Sequence, residues 1–288
     1  MAAWCYHAQA AVSEVDVDWY RNKKILITGG SSGIGLAAAL QAARSGASVG
    51  VVARRAQPLD EATGELRTLA SGSDATIVSS VLDVSDRDAV RREVPRLVEQ
   101  LGGLDVLINN AGISRVARFM ETAEEAFEQV IRVNLFGSVW MTRAVLPHLE
   151  KQQRGTVAFV SSLGGILGVY GYSAYCTSKF ALQGFADTMR QELVGSGVHV
   201  CVFCPGEVDT PMMRNEDLMM PSETRAVTGT LRRRPADETA TDLLKAIANG
   251  DEEAIPGLLA NASISAARML PGVARWVTAN KIRRARRR

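Results

Sequence analysis

Residues Lys24–Gly35 read K-I-L-I-T-G-G-S-S-G-I-G. Five residues of β-rich, mostly apolar sequence run straight into a glycine turn. An Ala-rich stretch with helical character follows, up to Arg44. Strand, glycine turn and helix in immediate succession are the context in which a glycine string binds a dinucleotide. The glycines have separate tasks. Gly29 permits the tight turn, Gly33 lets backbone approach the phosphates, and Gly35 lets the helix pack close to the strand. The amides that open the helix, around Ser31, Ser32 and Ile34, then face a pyrophosphate.

Outward from this turn the pattern repeats. S-V-G-V-V-A predicts a second strand ending at Arg54 and Arg55. An NAD-binding chain usually places an acid here, bonded to the ribose 2′-hydroxyl. Two guanidiniums stand there instead, and they suit a 2′-phosphate, which favours NADP. T-I-V-S-S-V-L leads to Asp83, a charged helix is expected from about Arg87 to Leu101, and D-V-L-I-N-N-A-G is a strand entering a polar turn. Such alternation predicts an α/β domain with a parallel sheet covered on both faces. Ligands of these sheets bind beyond the carboxyl ends of the strands. Thr28, Arg54, Asp83, Asn109 and Ser161 all fall at such ends.

Farther along, Ala123 to Leu149 reads as helical, with Asn134 in V-N-L-F-G taken as a polar residue on a solvent face. G-T-V-A-F-V-S-S predicts a strand ending at Ser161 and Ser162. Thirteen residues after Ser162 comes Tyr175, and Lys179 follows it by four. Residues four apart share a helix face. A cation there is expected to lower the phenol's pKa and make it a proton donor or acceptor near neutral pH. Folded back, the Ser162 hydroxyl would bond a substrate oxygen beside that phenol.

The 288 residues and 47% apolar content suit one full α/β core, and a net charge of +2 gives no nucleic-acid signal. Four cysteines are too few and scattered for a disulfide framework. Cys201 and Cys204 sit in H-V-C-V-F-C-P, a strand on which residues three apart point to opposite faces, so no metal site is expected. No secretory signal or membrane-spanning run is evident, and the chain reads as cytoplasmic. Lys281, Arg283, Arg284, Arg286, Arg287 and Arg288 crowd the last eight residues. Such a tail is either solvated or an anchor to anionic lipid at a membrane surface.

Together T-G-G-S-S-G-I-G (Thr28–Gly35), N-N-A-G (Asn109–Gly112), Asn134, Ser162, Y-C-T-S-K (Tyr175–Lys179) and P-G-E-V-D-T (Pro205–Thr210) resemble, in order, the motifs of the classical short-chain dehydrogenase/reductase family. The resemblance spans about residues 23–255. It implies a Rossmann-type, doubly wound, seven-stranded parallel sheet with helices on both faces, in a single domain. It implies a catalytic set of Asn134, Ser162, Tyr175 and Lys179. Tyr175 would move the proton, Lys179 would hold the nicotinamide ribose, Ser162 would orient the carbonyl, and Asn134 would organise a water-mediated proton path. Cofactor contacts are implied for Gly29, Ser31, Ser32, Gly33, Ile34, Gly35, Arg54, Arg55, Asp83, Val84, Asn110, Ala111, Gly112, Tyr175, Lys179, Pro205, Gly206, Val208 and Thr210. Members are commonly homodimers or homotetramers. T-R-A-V-L-P-H (Thr142–His148) and the run from Phe159 to Leu182 are similar to 3-ketodihydrosphingosine reductases, whereas P-G-E-V-D-T-P follows the ordinary family form.

Residues 1–22 read as an extension, 23–256 as the catalytic domain and 257–288 as an amphipathic and basic appendage. Residues 211–235 read as a lid, with Met212, Met213, Met219 and Met220 offering an adaptable apolar surface or filling gaps in the core. Arg232, Arg233 and Arg234 are placed at its mouth or in solvent. Two short amphipathic helices interrupted at Pro271 are expected after Gly257. They would cover the pocket or lie on a bilayer. The expected activity is an NADPH-dependent ketoreductase of lipid metabolism, acting on a long-chain β-keto substrate. The alternatives are a reductase or dehydrogenase of small ketones or alcohols, and a non-catalytic NADP-binding sensor or scaffold.

Overall fold

The computed structural model describes residues 17–229 and 233–287; Trp4, Tyr6, Arg232 and Arg288 lie outside them. Strands β1 (Lys24–Thr28), β2 (Ser48–Ala53) and β3 (Ile77–Val81) alternate with helices α1 (Gly33–Arg44), α2 (Ala56–Ala70) and α3 (Arg87–Gln100). Strand β4 (Val106–Asn109) leads to α4 (Glu124–Ile131) and α5 (Gly137–Gln152), then β5 (Gly155–Val160), α6 (Ser173–Glu192) and β6 (Val198–Phe203). A short pair, β7 (Val208–Asp209) and β8 (Arg234–Pro235), brackets α7 (Pro211–Asp217) and α8 (Ser222–Thr228). The chain continues through α9 (Ala236–Asn249), β9 (Glu253–Ala254), α10 (Leu258–Met269) and α11 (Pro271–Ala285).

Seven strands form one sheet in the order β3-β2-β1-β4-β5-β6-β9, all parallel. This is the doubly wound architecture expected from the sequence. The order reverses between β1 and β4, and the crevice outside the strand ends at that point is where such sheets hold ligands.

Strand alternation builds two cores. Leu26, Val52, Leu107, Phe159 and Val202 pack with residues of α3, α5 and α6. Ile25, Ile27, Val51, Ile108 and Phe203 pack with α1, α2 and α9. Cys201 belongs to the second core and Cys204 to the first, so the two sulfurs lie on opposite sides of the sheet. Ahead of β1, Tyr20 is fully buried and its hydroxyl donates to the Leu244 carbonyl of α9 at 2.7 Å.

The expected two helices after Gly257 are α10 and α11, with Pro271 opening the second, where its missing N–H costs nothing. Ala260 and Ile264 of α10 join the first core. Arg268 pairs with Glu253 at 2.7 Å, and Arg286 pairs with Glu223 of α8 at 3.1 Å. Neither Arg233 nor Arg234 is a free cation at the cavity mouth. Arg233 bridges Asp217 at 2.7 Å and Glu207 at 3.7 Å, while Arg234 pairs with Asp242 at 2.6 Å.

Candidate active site

A cavity of about 1150 Å³ opens at the carboxyl ends of the strands, larger than the few hundred to 1,000 Å³ of an ordinary small-molecule site. One end is the turn after β1. Gly33 lines it with φ +57°, a conformation only glycine adopts freely. Gly35 stands behind the turn. A Cβ there would lie 2.4 Å from Asn110 Nδ2 and 2.5 Å from the Gly29 carbonyl oxygen. Ser32 precedes α1 without capping it through its side chain, so the first-turn amides are left for a ligand.

The ends of β1 and β4 are stitched together. Thr28 Oγ1 accepts from the amides of Asn110 and Ala111, both at 2.9 Å, and Asn110 Nδ2 donates to the Thr28 carbonyl at 2.9 Å. Arg54 and Arg55 are exposed on the rim where β2 ends. Val84, Gly112, Pro205, Gly206, Val208 and Thr210 complete this end.

Ser162, Tyr175 and Lys179 line the middle of the same cavity. The strand end of β5 presents Ser162, and α6 presents the other two one turn apart. Lys179 is 4% exposed; its Nζ donates to the Val160 carbonyl at 2.8 Å and lies 5.7 Å from the Tyr175 ring centre. Burial lowers the Lys179 pKa to about 8. The sequence suggested that this ammonium would acidify Tyr175. Instead burial pushes the phenol well up, and the Ser162 hydroxyl is what pulls it back. Spacing on a helix gives a shared face, but here desolvation dominates the phenol.

Besides Gly35, behind the turn, two further anticipated residues lie apart from the cavity wall. Asp83 turns its carboxylate onto its own loop, accepting from Ser85 N at 2.9 Å and Ser85 Oγ at 2.7 Å. Asn134 is not on a solvent face. It is 1% exposed, in a π-helical turn (Arg132–Phe136) between α4 and α5. Its Oδ1 accepts from Ile113 N at 2.8 Å, and its Nδ2 donates to the Ile113 carbonyl and to Ser178 Oγ, both at 2.9 Å. Ser178 in turn donates to the Tyr175 carbonyl at 2.6 Å. π-turns frequently mark functional positions, because the extra residue re-aims a side chain.

Some cavity residues escaped the sequence reading. Tyr172 precedes Tyr175 by three, a spacing that puts both on one helix face; their ring centres are 5.8 Å apart. Glu216 gave no signal among its methionines. Of those, Met212 and Met213 line the cavity, Met219 is exposed, and Met220 is buried beside Tyr172. Ile264, Ala267, Val273, Val277 and Ile282 of α10 and α11, with Leu270 between them, make the wall of the far arm largely apolar, and Arg275 and Lys281 line it as well.

The sequence profile of the short chain dehydrogenase family matches residues 23–220. This chain belongs to that family. It is a short-chain dehydrogenase/reductase, an oxidoreductase whose fold implies a nucleotide cofactor. It is 34% identical over 228 residues to the 3-ketodihydrosphingosine reductase of Bos taurus, covering 79% of this chain and 69% of that one. It is 39% identical over 190 residues to the 3-oxoacyl-[acyl-carrier-protein] reductase FabG of Thermotoga maritima, covering 66% and 76%. The crystal structure of a short chain dehydrogenase/reductase from Burkholderia phymatum in complex with NAD superimposes with TM-score 0.78 at 21% identity, over 88% of this chain and 96% of that one. The residues present fit a dinucleotide: the turn leaves no room for a Cβ at Gly35, and the first-turn amides of α1 lie uncapped at the cavity.

Proposed function

We propose that this reductase converts a long-chain, lipid-like ketone to a secondary alcohol, with NADPH as its cofactor. One observation carries the reading. A single cavity holds the glycine turn, the Ser162–Tyr175–Lys179 group, and an apolar arm walled by α10 and α11. A small ketone has no use for that arm, and a sensor has no use for the polar group.

The glycine turn and the amides of α1 would hold the pyrophosphate, and Arg54 with Arg55 would take a 2′-phosphate. When bound, the reduced nicotinamide supplies hydride. The chain's residues do the rest. Tyr175 stays protonated at neutral pH, as a proton donor for reduction must, and gives that proton to the carbonyl oxygen. The Ser162 hydroxyl orients the same oxygen and favours the phenolate left behind. Lys179, fixed by Val160, would hold a ribose hydroxyl; Asn134, fixed by Ile113, would position a water-borne proton relay behind Tyr175. The names of the bovine relative and FabG, both reductases of 3-keto compounds, support the substrate class.

A panel of 3-ketodihydrosphingosine, medium-chain 3-ketones and short ketones, each with NADPH and NADH, tests this. Turnover of the long-chain compound with NADPH is expected. Turnover of short ketones alone, or equal use of NADH, overturns it.

A membrane surface as the source of substrate is favoured by Leu258, Leu259, Met269 and Trp276, exposed on α10 and α11 and not part of the cavity wall, with the basic Arg283, Arg284 and Arg287 following along the chain. No helix among the described residues is long and apolar enough to cross a membrane. Sedimentation with anionic vesicles should carry the wild type down and leave a Leu259→Asp/Trp276→Asp variant in solution. Exposed Phe136 and Phe180, on the turn before α5 and on α6, support pairing of two or four copies through the flanking helices, which light scattering measures.

A further inference from the structure

The helix that walls the far arm is weakly packed. No residue of α11 is buried. Yet Ala274, Val277, Thr278 and Ile282 face the cavity. Val273 and Val277, on the same wall, remain 55% and 40% exposed. Apolar side chains stabilise a position by leaving water, and these have left it only in part.

A polar contact at the end of the helix supplies the fastening. Just past the last turn, Arg286 Nε donates to Glu223 Oε1 of α8 at 3.1 Å, and Arg286 Nη2 donates to the Tyr170 hydroxyl at 3.3 Å. That hydroxyl donates to the same Glu223 oxygen at 3.1 Å, and the guanidinium stands 5.7 Å from the Tyr170 ring centre. Tyr170 and Glu223 are joined without Arg286. Thr224, the next residue of α8, is fully buried, and its hydroxyl donates to the Tyr170 carbonyl at 3.0 Å. The pair is thus a fixed seat, into which α11 fits one side chain. The Arg286 side chain is itself 55% exposed. An ion pair so exposed is weak and screened by salt, so the seat can release. Tyr170, Glu223 and Arg286 do not line the cavity, but Val169, Val227 and Ile282, close to them in the chain, do.

Resting on the reductase reading above, we infer that α11 is a lid over the apolar arm, and that Arg286, latched across Glu223 and Tyr170, determines the preference for long-chain over short ketones. With the arm empty, the apolar wall stays partly in water and the latch opposes opening. A long tail in the arm covers Val273, Val277 and Ile282, which adds burial to the closed state alone. A ligand that favours the closed state shifts the lid toward it. Latch and tail therefore act together. A short ketone does not reach the arm and gains from neither.

The competing role is a static brace, in which Arg286 ends a helix that never leaves its place. Arg286→Gln separates the two, since it removes the ion pair at a position outside the cavity wall. The first measurement is hydrogen exchange of the full chain, with NADP⁺ present throughout. Amides of α11 should exchange about threefold or more faster in the variant than in wild type, with those of α6 unchanged. About 0.5 M sodium chloride should speed α11 in wild type and not in the variant. Undecan-2-one, below its solubility limit, should slow α11 in wild type. Equal exchange in the two proteins, or no response to the ketone, overturns the lid.

The second measurement is turnover of undecan-2-one against butan-2-one. Arg286→Gln should raise KM for the long ketone about threefold or more, leaving kcat/KM for the short one and NADPH affinity unchanged. Equal losses for both ketones sink the latch as a determinant of chain length while the reductase stands. If wild type reduces neither ketone, the reductase reading falls, and the exchange measurement still decides whether α11 is a lid.

Discussion

Lys179 donates to the Val160 carbonyl at 2.8 Å, one turn below Tyr175 on α6, and the bond fixes the ammonium inside the protein. Its pKa is lowered by burial to about 8, against 10.5 for a free side chain. Between those values the unfolded chain holds more protons than the folded one. Stability from this site therefore rises with pH from about 8 to about 10.5, and the penalty of a buried charge is fully present below that window. Lys179→Met removes the titration. The stability of the variant relative to wild type should fall as pH rises, by up to about 1.4 kcal/mol per unit. Urea midpoints at about pH 7.5 and about pH 9.5 measure it; a constant difference would contradict the buried ammonium.

Tyr175 is the hydroxyl that would give up a proton to substrate. Tyr175→Phe keeps the ring and its contact with Tyr172 but removes the donor. Turnover should fall by about 10²–10⁴. NADPH binding, followed by fluorescence, and the melting temperature should stay near wild type. Undiminished turnover would place the proton source elsewhere.

Most of the scaffold was legible in the chain. K-I-L-I-T-G-G-S-S-G-I-G announces strand, turn and helix within twelve residues, because local propensity, glycine chemistry and burial agree there. Cys201 and Cys204 were separable by strand period alone. Asn134 was not: its helical surroundings hide a π-turn, and only packing against Ile113 and Ser178 shows why an amide is buried there. Glu216 and Tyr172 are 44 residues apart and meet only when α7 folds onto α6. The two helices after Gly257 can be placed from the sequence, but α11 buries no residue, so the surface they cover was not legible there.

Asn134 satisfies both backbone groups of Ile113 in the turn beyond β4. Asn134→Leu would bury that N–H and C=O unpaired, at about 2–4 kcal/mol. Chemical denaturation should register the loss. Ser178→Ala, which removes one partner of the Asn134 amide, should cost about 1 kcal/mol. A neutral Asn134→Leu would mean that water reaches Ile113.

Gly35 has ordinary helical geometry, so any cost of Gly35→Ala is steric. The new methyl would fall 2.4 Å from Asn110 Nδ2 and 2.5 Å from the Gly29 carbonyl oxygen, and the second is backbone that cannot step aside. The turn must move and its amides lose their aim. NADPH affinity should drop about tenfold or more, as for any small displacement of a preorganised site. Unaltered affinity in calorimetry would show that the turn yields without consequence.

Arg54 and Arg55 test the choice between the two nicotinamide nucleotides. Both follow β2, on the rim of the cavity, where an acid would stand if a ribose 2′-hydroxyl were to be bound. A guanidinium grips a phosphate through charge and paired donors, and finds little on a hydroxyl. Arg54→Ala and Arg55→Ala should each weaken NADPH about tenfold, and the double variant more, with NADH hardly changed. Salt should narrow the wild-type preference, since exposed guanidiniums are screened over about 8 Å at physiological strength. Equal losses for the two nucleotides would reassign both arginines to the pyrophosphate.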